Sequence, residues 1–107
     1  DGRQTRSLCY QSDLITGLVA MLDARDVTGP VNLGNPTELT VLELASLVLD
    51  ATNSSSEVVH LEALEDDPTR RKPDITRAGD LLGWAPKVTL ADGLLSTISW
   101  FADRLDL

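Results

Sequence analysis

The chain has little of several things, and each scarcity excludes a class of protein. It holds one cysteine, Cys9, so neither an intramolecular disulfide nor a multi-cysteine zinc site can form. Aromatic residues make up 4%, so any core is built from Leu, Val, Ile and Ala. Cations are scarce too: 9 Lys and Arg stand against 17 Asp and Glu, a formal charge of -8. That balance argues against nonspecific nucleic-acid binding and against an anionic membrane surface. No apolar run is long enough for a membrane span, and no signal-peptide pattern leads the chain, which points to a soluble, cytoplasmic protein. Glycine-rich phosphate signatures such as G-x-G-x-x-G and G-x-x-x-x-G-K-[ST] are missing, as is H-E-x-x-H. A serine hydrolase would need more than the single His60 offers.

What is present is globular in composition, with 42% hydrophobic residues. A length of 107 residues is one small domain, residues 1–107, with a core too limited to be more than marginally stable alone. The chain opens Asp-Gly-Arg-Gln-Thr-Arg without an initiating Met, and reads as a piece of something longer.

The pattern predicts four helices. A Gly turn and an extended stretch over Ser7 to Tyr10 lead to Ser12, an N-cap candidate, with Asp13 well placed for the helix dipole. Leu14, Ile15, Leu18, Val19 and Leu22 follow at helical spacing, and Gly29-Pro30 closes that unit. Thr40-Val41-Leu42-Glu43 spells a capping box before apolar positions running to about Ala51. Asp74 is placed to cap a short helix with Ile75, Ala78 and Leu82, stopped by a left-handed Gly83. A last helix begins near Leu90 with the stripe Leu90, Leu94, Ile98, Phe101 and Leu105. Pro30–Leu33 and Glu57–Leu61 (EVVHL) read as short strands. Strands so few and short do not make a self-sufficient sheet. The expected architecture is α/β but mostly helical, about four helices with two or three short strands, a lobe that completes itself against another body or a second copy.

No catalytic constellation is visible. His60 reads as structural or surface, and Cys9, between Leu8 and Tyr10, as a packed thiol. Glu65-Asp66-Asp67 reads as a solvated acidic loop, too poor in converging ligands for a metal by itself. Trp84 and Trp100 read as packing anchors, Trp84 folding back on the helix that ends at Gly83. Two arginine-bearing loops remain: Arg3 and Gln4-Thr5-Arg6 beside the Gly turn, and Arg70-Arg71-Lys72 between Pro68 and Pro73. A guanidinium is a planar fork of donors suited to phosphate, and two such loops could grip one diphosphate. Alternatively, these arginines pair with neighbouring carboxylates such as Asp66 and Asp67.

The stretches GRQTRSLCYQSDLITGL, GPVNLGNPTELTVLELASLV and EDDPTRRKPDITRAGDLLGWAPKVTLADGL come in a familiar order. Together they resemble the C-terminal part of the UDP-glucuronate decarboxylases (UDP-xylose synthases). These are extended short-chain dehydrogenase/reductases, grouped with nucleotide-sugar epimerases and 4,6-dehydratases. Q-T-R-S, V-N-L-G-N-P and D-D-P-x-x-R-K-P-D-I carry the resemblance to the decarboxylase branch, while L-G-W-x-P-K is shared more widely.

The resemblance implies a substrate-binding lobe whose Rossmann domain, the binder of NAD in that family, is absent from this chain. It implies a UDP-sugar ligand, with Arg6, Gln4 and Thr5 matching the substrate loop and Arg71 matching the arginine before K-P-D-I. In a related decarboxylase that arginine is proposed to donate a proton, which makes Arg71 a candidate auxiliary, with Arg70 its solvent-facing neighbour. The family's Tyr-x-x-x-Lys pair is missing: Tyr10 is the only tyrosine, and Leu14 stands where lysine would. The fragment alone is therefore expected to lack catalysis, to have no cofactor of its own, and to partner the missing domain or itself. Two other readings stay open: a 4,6-dehydratase or epimerase of the same superfamily, and a stand-alone, self-associating helical module.

Overall fold

Thr40 shows how local chemistry fixes an element. Its hydroxyl accepts from the Glu43 amide at 3.0 Å, and the Glu43 carboxylate accepts from the Thr40 amide at 3.1 Å. The capping box thus satisfies two backbone donors that the first helical turn leaves free. In the computed structural model, which describes residues 1–66 and 68–105, this box opens helix α2, Val41–Thr52. Asn53 ends α2 in the left-handed conformation, with φ 51°.

The other helices are α1, Gln11–Asp23, α3, Thr76–Leu82, and α4, Leu90–Leu105. Gly83 closes α3 at φ 61°, and Trp84 N–H reaches back to the Ala78 carbonyl at 3.2 Å, as the Gly-Trp step led one to expect. Asp74 acts on α3 through Thr76: its Oδ1 accepts from the Thr76 amide at 3.0 Å and hydroxyl at 2.6 Å. The helix's cap position itself falls to Ile75, without a side-chain bond.

Among the described residues there are two strands, β1 (Thr5–Arg6) and β2 (Leu39–Thr40), antiparallel with Thr5 opposite Thr40 and Arg6 opposite Leu39. The predicted strands at Pro30–Leu33 and Glu57–Leu61 do not form. A β-branched composition suits a pleated surface, but a strand also needs a neighbour to complete its hydrogen bonds. The strand near the N-terminus lies just before the expected Ser7–Tyr10 stretch, because Leu39–Thr40 pairs there.

Helix α1 corrects a second expectation. Its N-cap is Tyr10, which makes no side-chain cap bond, and Ser12 lies inside the helix. Asp13 serves tertiary structure rather than only the helix dipole. It is 7% exposed, its Oδ2 accepts from the Val88 amide at 2.9 Å, and its backbone carbonyl accepts from the Trp84 indole at 2.9 Å. Trp84, 5% exposed, therefore reaches across to α1 instead of folding back on α3 alone. Gly17 makes room for it: a Cβ there would stand 2.9 Å from Leu33 and 3.1 Å from the indole. With the fully buried Ala78, these residues are the centre of a small core between α1 and α3.

Beyond that core the slab is thin. Its extents are 51 × 35 × 19 Å and its radius of gyration 16.5 Å, against about 13 Å for a compact domain of this length. Every member of the α1 stripe, Leu14, Ile15, Leu18, Val19 and Leu22, is exposed, Leu22 at 85%. On α4, Leu90, Leu94 and Ile98 are half-buried while Phe101 and Leu105 are exposed. Trp100 is a surface residue rather than an anchor, edge-on to Phe101 with the Arg104 guanidinium 3.8 Å over its ring.

Candidate functional site

β1 carries one arginine loop, and pairing with β2 fixes its direction. The opposite side of β1 is met by the second arginine loop. The Thr5 amide donates to the Thr69 carbonyl at 2.8 Å. The Arg6 guanidinium donates to the Pro68 carbonyl at 2.9 Å and to its neighbour's, Thr5, at 2.7 Å. The Ser7 hydroxyl donates to the Arg71 carbonyl at 3.2 Å. Three successive residues of Q-T-R-S are thus tied to the T-R-R loop, more than sixty positions away in sequence.

The two arginines of the cluster have different surroundings. Arg70 is paired: its Nε and Nη2 reach Glu38 Oε1 and Oε2 at 2.8 and 3.1 Å. It is exposed, as expected of a solvent-facing neighbour, and its charge is matched. Its partner is Glu38, not Asp66; Asp67, the other carboxylate considered, lies outside the described residues. Arg71 is exposed, and among the described residues no carboxylate pairs with its guanidinium. Of Arg70 and Arg71, the second is the one that can offer full charge to an anion.

Electrostatics follow the geometry. The Arg70 hydrogen bond holds the Glu38 carboxyl below its ordinary pKa against the opposing effect of desolvation, with the Arg70 and Lys72 charges and the Thr5 hydroxyl adding to it. Cys9 is half-buried, and burial pushes its thiol up, helped by the nearby Asp13 charge. A thiol so shifted is a poor nucleophile, in keeping with the packed role read from its neighbours.

Gln4 is the predicted site residue that the fold does not bring to this junction. Its carbonyl accepts from the Val41 amide at 3.0 Å, and the residue lines a separate, largely apolar groove of about 690 Å³ between α2 and residues 57–64. Conversely, Glu38 was missed. Nothing local marks it: it stands just before a capping box, and only the pairing of β1 with β2 sets it against Arg70.

Similar proteins share both the sequence and this shape. No protein-family model matches the chain. UDP-glucuronic acid decarboxylase 5 of Arabidopsis thaliana is 52% identical over 93 residues, 87% of this chain and 27% of that protein. UDP-glucuronic acid decarboxylase 1 of Danio rerio is 47% identical over 105 residues, 98% of this chain and 25% of that protein. Among solved structures, UDP-glucuronic acid 4-epimerase from Bacillus cereus, in complex with UDP-glucuronic acid and NAD, superposes with a TM-score of 0.89 at 28% identity. That match covers 97% of this chain and 34% of the epimerase. The chain thus spans about a quarter of the length of its decarboxylase relatives. It is a homologue of that segment of them and has the fold of part of a UDP-sugar epimerase, so the resemblance drawn from the motifs holds.

Proposed function

We propose that this chain is the substrate-binding portion, C-terminal in the whole protein, of an NAD-dependent UDP-glucuronate decarboxylase that makes UDP-xylose in the cytoplasm. On this reading Arg71, Arg6 and Thr5 line the UDP-sugar site, while Gln4, next to Thr5 in the substrate loop by sequence, lines the separate groove. The observation that carries it is the seam joining Q-T-R-S to the T-R-R loop, which leaves the Arg71 guanidinium open while Arg70 is paired. A diphosphate needs fixed positive charge, and an acidic protein must supply it locally. The decarboxylase branch is favoured over epimerases by identity, 47–52% against 28–33%.

The chain's own residues do not fit a dinucleotide. There is no glycine-rich cradle and no Tyr-x-x-x-Lys pair, so NAD and the redox chemistry it supplies are assigned to the length of the relatives that this chain does not cover. The residues present bind and orient the nucleotide-sugar; Arg71 also stands where an auxiliary proton donor would.

The test has two arms. Incubated with NAD and UDP-glucuronate, the purified chain should yield no UDP-xylose above background; clear product would sink the claim of inactivity. In titration calorimetry UDP and UDP-xylose should bind, and Arg71→Ala should weaken binding at least about tenfold, the order expected for losing a charge-assisted contact. Equal binding by Arg71→Ala and the unaltered chain would remove Arg71 from the site. The thin, apolar-faced slab supports a second reading, a self-associating module, which gains if UDP does not bind and light scattering finds a tight dimer.

A further inference from the structure

We infer that Glu38 is a positioning residue for the diphosphate site, the catch that holds the Arg71 loop in its ligand-facing form; this rests on the reading of Arg71 above. One carboxylate joins three segments. It accepts both prongs of Arg70, at 2.8 and 3.1 Å, and the Thr5 hydroxyl at 3.4 Å. Two parallel bonds to a planar fork fix orientation as well as distance. Glu38's side chain is 21% exposed against 68% for Arg70, so the carboxylate is the sheltered, better-placed half of the pair.

The same stretch of chain secures the other end of the loop. Asn32 Nδ2 donates to the Asp74 carbonyl at 3.4 Å. Gly34 is buried so closely under Pro73 that a Cβ would lie 3.0 Å from the ring. Residues 32–38 therefore back residues 70–74 from end to end. Arg71 and Lys72 lie between the two fastenings, and Ser7 holds the Arg71 carbonyl from the β1 side. With Arg70 turned onto Glu38, Arg71 is left to face a ligand.

Charge and positioning make opposite forecasts, which makes the inference testable. If Glu38 matters only through its charge, Glu38→Gln removes a negative group beside an anion site and frees Arg70, so UDP should bind more tightly. If Glu38 is the catch, UDP should bind about three- to tenfold more weakly, and Arg70→Ala should do likewise. The charge-swapped pair Glu38→Arg with Arg70→Glu should recover most of the affinity. Tighter binding by Glu38→Gln overturns the inference.

A readout independent of UDP is the Thr5 amide, whose bond to Thr69 spans the seam. Its hydrogen exchange should quicken about threefold or more in Glu38→Gln and in Arg70→Ala, with helical circular dichroism unchanged. Unchanged Thr5 exchange in both variants also overturns the catch. Failure of the unaltered chain to bind UDP overturns the binding-site reading instead, and the Thr5 amide still decides whether Glu38 holds the loop.

Discussion

The arginine seam and the helix faces of this protein are finished to different degrees. Along the seam, strand, loop and carboxylate interlock: amide to carbonyl, hydroxyl to carbonyl, guanidinium to carboxylate. Along α1 and the far half of α4, apolar side chains face outward, and among the described residues the core beneath them is Ala78, Trp84 and the groups around them. Polar groups can be satisfied within one thin layer, since each hydrogen bond needs one partner. Apolar side chains need surrounding volume, which a layer 19 Å thick cannot give. The molecule is thus locally complete along the arginine seam and incomplete along its apolar helix faces, where another body would pack.

The largest expected effect tests the core. Trp84→Ala removes a large buried side chain and the indole bond to Asp13, and should destabilise the fold by about 3–5 kcal/mol, read by chemical denaturation. A loss under about 1 kcal/mol would mean that the α1–α3 core is not what holds the slab together.

Next comes the open face. Exposed apolar patches of this kind drive association, so the chain should self-associate as its concentration rises. Leu18→Asp, in the middle of the α1 stripe, should shift sedimentation toward monomer with little change in helical content. A strict monomer at high concentration before any substitution would break the contrast drawn above.

The smallest effect belongs to the seam and caps. The Arg70 hydrogen bond holds Glu38 below its ordinary pKa, and bonds from Thr40 and Thr76 do the same for Glu43 and Asp74. A depressed carboxylate pKa contributes stability that is fully present above the unfolded value and is lost as pH falls through the folded one. Melting temperature should therefore be level from neutral pH down to about 5 and decline below about 4. Because these groups are at the surface, the decline should be shallow. A melting temperature that rises on acidification would contradict the sign.

Much of this was legible in the sequence. The Thr40–Glu43 box, the Gly83 stop and the start of α4 are decided within a few residues, by caps and backbone conformation that neighbours dictate. The Q-T-R-S and D-D-P-x-x-R-K-P-D-I motifs also marked the two arginine-bearing loops that the fold joins by hydrogen bonds. Sequence reasoning failed where the partner is distant. EVVHL has strand composition but finds no strand to pair with. Ser12 is a good cap residue that a start two residues earlier left inside the helix. Trp100 looks like an anchor but has nothing above it to anchor to.

The sequence by itself determined which segments are helical, where three of the four begin or end, and which arginines to watch, because those properties rest on local propensity and charge. Only the tertiary structure decided which arginine is engaged and which is open. That choice depends on β1 meeting β2 in one register, which carries Glu38 to Arg70 across 32 positions of chain. No local pattern encodes a contact that exists only once two distant strands have closed.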